Sequence, residues 1–333
     1  MHGACRKRMP ANTAFFILFV LIAAILIFPG GPAAAADKGG SIWGADYFPD
    51  VPLVTQEGKT VRFFTDLIKD KVVAINFIYT NCPDSCALET ARLREVQKLL
   101  EDRVGKDVFF YSITIDPKHD TPKVLKQYAE KFQVGPGWLF LTGKKADITL
   151  LRKKLGLLGE KEKKRRDLQD HTLSFIIGNQ STGQWMKTSP FENPYVLATQ
   201  IGSWLHNWKL PPQKKLDYAD APELRNISKG ETLFRTRCAS CHTIGPEEDA
   251  GADKRRLGPD LLGVTRKRDA AWLTRWLAEP DKMVAEKDPT AMALLAEYNN
   301  VPMPNLRLNN TDIQNLLSYI EEESHRREHH HHH

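Results

Sequence analysis

The sequence predicts an α/β domain followed by an all-helical domain. Three observations predict this. The 333 residues are enough for about two domains at roughly 150 residues each. Continuous apolar, β-branched runs alternate with helical patterns in the first half, and helical patterns alone fill the second. Between them, Asn207 to Asn226 has little apolar periodicity and contains Pro211-Pro212, Lys214-Lys215 and Pro222, which reads as a linker. The predicted division is 1–36 leader, 37–208 α/β domain, 209–225 linker, 226–325 helical domain and 326–333 tail. There is no internal repeat.

The elements follow in order. Val72 to Tyr79 (VVAINFIY) is the run expected of a strand buried on both faces. Ala87 to Glu101 is a helix, with Leu88, Leu93, Val96, Leu99 and Leu100 near helical spacing. Val108 to Ile115 is a second buried strand. Thr121-Pro122 starts a helix that reaches about Phe132, with Pro at the first helical position. Short strands follow near Leu139 and at Thr172 to Ile177, and a helix ends near Leu205. This alternation predicts a largely parallel sheet with helices on both faces.

In the second domain, Lys229 to Arg237 leads into a cysteine pair. Asp269 to Ala278 places Trp272 and Trp276 on one face. Thr311 and Gln314 fit a capping box. After it, Ile313, Leu316, Leu317 and Ile320 form an amphipathic stripe.

Apolar residues at 41% and charged residues at 26% exclude a polytopic membrane protein, a collagen-like fibre and a wholly disordered chain. Five cysteines are too few for a disulfide-stapled miniprotein. The net charge of +6 does not by itself imply nucleic acid binding. Lys144 to Arg166 holds ten Lys/Arg against three Asp/Glu, a local +7, so the rest of the chain sums to −1. This basic patch reads as a solvated helix and loop, or else as a docking surface for an acidic partner or anionic lipid.

Arg6, Lys7 and Arg8 precede an unbroken apolar run from Ala14 to Phe28; Pro29-Gly30-Gly31 breaks it, and Ala33 to Ala36 offers a cleavage site. This is the pattern of an export signal. A fifteen-residue helix spans about 23 Å, short for a bilayer core of about 30 Å. A retained membrane anchor is the alternative. Either reading places the remainder in an oxidising compartment, the periplasm or the outer face of the cytoplasmic membrane. His329 to His333 reads as an expression tag, with a native metal-binding tail as the alternative.

Cys238-Ala239-Ser240-Cys241-His242 is a C-x-x-C-H motif. Two thiols at this spacing reach both vinyl groups of one haem, and the adjacent His becomes an axial ligand. One covalent haem c is therefore expected. A zinc site would need two further Cys or His ligands, and this domain offers only His325 before the tail. Met283, Met292 and Met303 are candidates for the sixth ligand. Met303 is preferred because Pro302 and Pro304 stiffen its loop. A thioether ligand favours reduced iron.

These features resemble class I cytochromes c over about Asn226 to Glu323. The carriers are C-x-x-C-H, Leu257-Gly258-Pro259-Asp260-Leu261, the Trp-bearing helix, Met303-Pro304 and the last helix. The resemblance implies that the Pro259 carbonyl orients His242. Pro280 to Asn300 is longer than a minimal cytochrome requires.

Cys82-Pro83-Asp84-Ser85-Cys86 lies where a buried strand passes into a helix. Residues four apart share a helical face, so both sulfurs can converge on one soft ion. Thiolates suit Cu(I), and an added imidazole permits Cu(II). The first domain offers His119, His171 and His206. His171 is preferred because Asp170 beside it can orient the ring. A labile redox disulfide or a weakly stabilising structural one are the alternatives.

Together with Asp116-Pro117-Lys118-His119-Asp120-Thr121-Pro122 and Asp170-His171-Thr172, this motif resembles the SCO/SenC family, copper-handling proteins with a thioredoxin-like fold. The similarity covers about Tyr47 to Trp208. It implies Cys82, Cys86 and His171 as copper ligands, with Asp116, Asp120 and Thr121 as neighbours of the site. Ala87 departs from the Pro common at this position, which should alter the helix start and leave the ligands intact. A peroxiredoxin-like peroxidase fits the paired Cys86 and Asp170-His171 less well.

The resemblance implies assistance in assembling the binuclear copper centre of cytochrome c oxidase, by delivering copper or reducing the target's cysteines. The oxidase subunit carrying that centre and other periplasmic redox proteins are the expected partners, and nucleic acid is not. The fusion suggests electron exchange between haem and the Cys82/Cys86 site. The competing reading is a haem-linked thiol–disulfide oxidoreductase with Cys82 and Cys86 as its redox dithiol.

Overall fold

The first part is built on one sheet. In this computed structural model its strands are β1 (Pro52–Thr55), β2 (Thr60–Arg62), β3 (Val72–Ile78), β4 (Val108–Thr114), β5 (Trp138–Gly143), β6 (Phe175–Asn179) and β7 (Gln184–Thr188). Their order across the sheet is β2-β1-β5-β4-β3-β6-β7. The structure describes residues 43–82, 85–158, 174–206, 226–246 and 257–330. The expected leader, the linker, His171 and the end of the basic patch lie outside the described residues.

The expectation of a largely parallel sheet needs correction. Among the described strands, only β3–β4 and β4–β5 pair parallel. β1 joins β5, and β6 joins β3, antiparallel. The outer pairs β1–β2 and β6–β7 are also antiparallel. A tight turn can return a strand only antiparallel. β1 and β2, four and three residues long, are too short to announce themselves by periodicity. The central strands behave as read: all seven residues of β3 are buried.

Among the described residues, four α-helices flank this sheet: α1 (Cys86–Leu99), α2 (Pro122–Lys131), α3 (Lys145–Lys154) and α4 (Pro194–Gly202). α2 starts as predicted, with the Thr121 side chain accepting from the backbone N–H of Val124 and Pro122 in the first turn. α2 and α3 pack on β5, and α1 packs on α4. Phe63, Ile75, Phe110, Ile113, Phe140 and Phe175 form the centre of the core, each essentially inaccessible to water.

The described second part is helical, apart from an isolated bridge between Thr243 and Asp260. Its helices are α5 (Lys229–Leu233), α6 (Val264–Lys267), α7 (Ala270–Ala278), α8 (Pro280–Ala285), α9 (Pro289–Glu297) and α10 (Asn310–His330). α5 runs on as a wider helical turn, Phe234–Cys238, that delivers the first haem-motif cysteine. α10 packs across α5, α6 and α7, burying Ile313, Leu316 and Ile320. The α5 crossing requires Gly230, where an added Cβ would lie 2.0 Å from the Asn315 carbonyl oxygen. α10 is capped by Asn309, whose side chain accepts from the Asp312 backbone at 2.9 Å. The helix therefore starts before the expected Thr311 box, because Asn309 is itself a strong cap. It also continues to His330, into the stretch read as tail. The described residues of both parts belong to one compact unit.

Candidate metal and cofactor sites

β3 ends at Ile78 and α1 begins at Cys86, so Cys82 and Cys86 bracket the turn above the sheet. Cys82 is half-buried and Cys86 fully buried, and both are thiols not joined by a disulfide. The two side chains are hydrogen-bonded to each other; that bond, then burial, pushes the Cys86 thiol well above its usual range. The approach to Cys82 is fixed from below by Asp120, whose carboxylate accepts from the Thr80 N–H at 3.1 Å and from the hydroxyls of Thr80 and Thr114. The expected neighbour Asp120 is thus a buried anchor, and Thr121 caps α2. His119 is exposed and pairs with Asp116 at 2.7 Å. Among the described residues no third Cys, His, Asp or Glu completes a metal cluster. His171, the expected third ligand, lies outside them. The chemistry placed here is two convergent soft donors that can bind copper as thiolates.

Glu89, which the sequence reading missed, sits one turn beyond Cys86 and is buried. Burial pushes its carboxyl up to about 8, against the effect of a hydrogen bond from Asn76 Nδ2 at 3.0 Å, with nearby Cys82 raising it further. Asn76 in turn accepts from Ser112 at 2.7 Å, and Ser112 from Trp138 Nε1 at 2.9 Å. A lone acid among apolar positions of a helix was the available signal. Tyr128 closes the other side, its hydroxyl donating to the Cys86 carbonyl at 3.3 Å.

The second site is a cavity of about 410 Å³ lined by Cys238, Cys241, His242 and Met303. The backbone N–H groups of Cys241 and His242 both donate to the Cys238 carbonyl at 3.0 Å, which folds the motif into one tight turn. His242 Nδ1 donates to the Pro259 carbonyl at 2.9 Å, the orientation expected from the sequence. That bond leaves Nε2 as the ring's available ligand atom. Gly258 permits the close packing, since a Cβ there would meet His242 Cε1 at 2.6 Å. Burial lowers the basicity of His242 and pushes both thiols up to about 12. Of the three candidate methionines only Met303 lines the cavity; Met283, on α8, is buried away from it and Met292 is exposed. The segment left unplaced by the sequence forms α8 and α9, and Leu294 and Tyr298 line the cavity. Two thiols, an adjacent oriented imidazole, a thioether and apolar walls are a donor set that fits haem c.

The parts meet along α1. The Arg92 guanidinium donates to Ser240 Oγ at 3.2 Å and to the Arg235 carbonyl at 3.4 Å. It also reaches the carbonyls of Phe191 and Glu192. Ser240 donates to Glu95 at 3.0 Å. Cys241, Leu257 and Val301 pack against the first core.

Residues 44–206 match the SCO1/SenC family model and residues 227–324 the cytochrome c family model, so the chain joins a SCO1/SenC domain of thioredoxin-like fold to an all-α cytochrome c domain. The SCO2-like protein of Rickettsia felis is 36% identical over 99 residues, covering 30% of this chain and 46% of the relative. The SCO1 homologue of Bacillus subtilis is 37% identical over 89 residues, 26% of this chain and 45% of the relative. The chain thus spans under half the length of these two relatives. A solved cytochrome c domain from Pseudomonas putida is 57% identical, covers 29% of this chain and 89% of that one, and superposes with a TM-score of 0.26. Among the described residues no helix is long and apolar enough to cross a membrane.

Proposed function

We propose that this chain is an exported copper-handling redox protein that assists assembly of the binuclear copper centre of cytochrome c oxidase. The observation that carries the reading is the mutually hydrogen-bonded pair Cys82 and Cys86 at the start of α1. Copper is the cargo. Cu(I) entering this site displaces one proton from each thiol and is held as a dithiolate, and His171 supplies the imidazole that extends the site to Cu(II). The domain then delivers copper to the oxidase subunit or reduces that subunit's cysteines. SCO1/SenC membership of residues 44–206 supports this partner.

Cys238 and Cys241 would hold one haem c through thioethers, with His242 and Met303 as axial ligands. Bound haem supplies one-electron exchange, which matches copper cycling by one electron better than a two-electron dithiol. The chain's own residues exclude water from the cavity and hold His242 in one tautomer. The N-terminal apolar run supports export to the periplasm or the membrane's outer face, cleaved or retained as an anchor. The division into 37–208 and 226–325 about a 209–225 linker remains the proposed organisation.

A second reading is a haem-linked thiol–disulfide oxidoreductase, favoured by the direct contact of Cys82 and Cys86. His171→Ala separates the two. The copper reading expects it to weaken copper binding and spare dithiol cycling. Unchanged copper binding in His171→Ala would remove that residue from the site. No tight copper in the parent protein, with the dithiol still cycling, would favour the oxidoreductase.

A further inference from the structure

Leu88, Arg92 and Glu95 recur at i, i+4 and i+7 and so form one face of α1. That face is covered by the second domain. Leu88 is 4% exposed, yet it belongs to neither apolar core. It lines the cavity of Cys238, Cys241, His242 and Met303. Arg92 is 3% exposed and ties Ser240 and Arg235 to the Phe191–Glu192 turn before α4. Ser240 sits between the two haem-motif cysteines and is held from both sides, by Arg92 and by Glu95. Leu257, 4% exposed, adds apolar contact from the segment that carries Gly258 and Pro259.

We propose that the haem pocket of this chain is completed by its copper-site domain: Leu88 is a haem-contact residue, and Arg92 and Glu95 clasp Ser240 to hold it there. The proposal rests on the reading of Cys238, Cys241, His242 and Met303 as the haem site. It adds a residue that lies outside the cytochrome c segment altogether. An apolar wall at this place keeps water from the haem edge, and burial is one of the protein's levers on haem potential. Docking of the domains is then coupled to the redox poise of the haem. Arg92 acts as a positioning residue through Ser240.

The test uses the full haem-loaded chain. Covalent haem is read first from the mass. Redox titration then compares the parent with Leu88→Gln, with Ser240→Ala and with Leu93→Ala, a residue of the first core on another face of α1. Backbone hydrogen exchange is followed over Arg235 to Cys241. The expected result is a lower haem potential in Leu88→Gln, faster exchange and a lower potential in Ser240→Ala, and no shift in Leu93→Ala. A haem-loaded Leu88→Gln and Ser240→Ala with the parent's potential and exchange would overturn the shared wall and leave the haem site standing. A shift in Leu93→Ala equal to that in Leu88→Gln would also overturn it. A parent chain without covalent haem would overturn the haem assignment itself.

Discussion

Cys86 and Leu88 are two residues apart at the start of one helix, yet Cys86 belongs to the thiol pair and Leu88 to the wall of the cavity holding Cys238 and Cys241. Along the helix axis that separation is about 3 Å. The two candidate redox sites therefore draw on different faces of the same helical turn. A tether alone would raise their mutual concentration only to the millimolar range; here the fold also fixes their relation through Arg92, Glu95 and Ser240.

Glu89 gives the copper-free protein a pH-dependent stability. Its folded-state value, about 8, lies above the ordinary 4.5. Below pH 4.5 the carboxyl is protonated in both states. As pH rises from there to about 8, the unfolded chain ionises while the folded one holds its proton, so stability falls. Glu89→Gln removes this fall. At about 1.4 kcal/mol per pH unit, the variant should gain up to about 5 kcal/mol on the parent across the window. Denaturant titrations at pH 5 and pH 8.5 check this, and equal pH slopes would refute it.

Met303 and Met283 should separate by readout. Met303→Ala is expected to lower the haem potential and remove the spectral signature of a thioether ligand, with little change in stability. Met283→Ala should cost about 2–5 kcal/mol through a cavity in α8's packing and leave the haem spectrum unchanged. Visible spectra and thermal melts of both variants check this; a normal thioether signature in Met303→Ala would assign the ligand elsewhere.

Gly230→Ala should dislodge α5 from α10, because the new methyl carbon meets the Asn315 carbonyl at 2.0 Å. The backbone cannot yield as a side chain tip can, so a cost at the upper end of about 1–3 kcal/mol is expected. Calorimetry should show the cytochrome domain's transition lowered. An unaltered melt would contradict the crossing.

Much of the site was legible because its chemistry is local. C-x-x-C-H, Met303 between two prolines and Thr121-Pro122 are each recognisable within a few residues; the first two line one cavity and the third starts α2. The outer hairpins were not legible, because β1 and β2 are too short for a period to show. The last helix starts at Asn310, capped by Asn309, and not at the expected Thr311 box. The face Leu88, Arg92 and Glu95 reads as an ordinary helix side with solvated charges. Only the contact with Ser240 turns it into an interface, and that partner lies 145 residues from Glu95. His171 remains an assignment of the sequence alone.

The most direct test is an anaerobic copper titration of the purified haem-loaded protein, counting bound copper by elemental analysis while following the haem bands. One tight copper per haem, lost in His171→Ala, is the predicted result, and with Cu(I) added to ferric haem each haem reduced should be matched by one Cu(I) oxidised to Cu(II). No tight copper, with Cys82 and Cys86 still cycling between thiol and disulfide, would contradict the account.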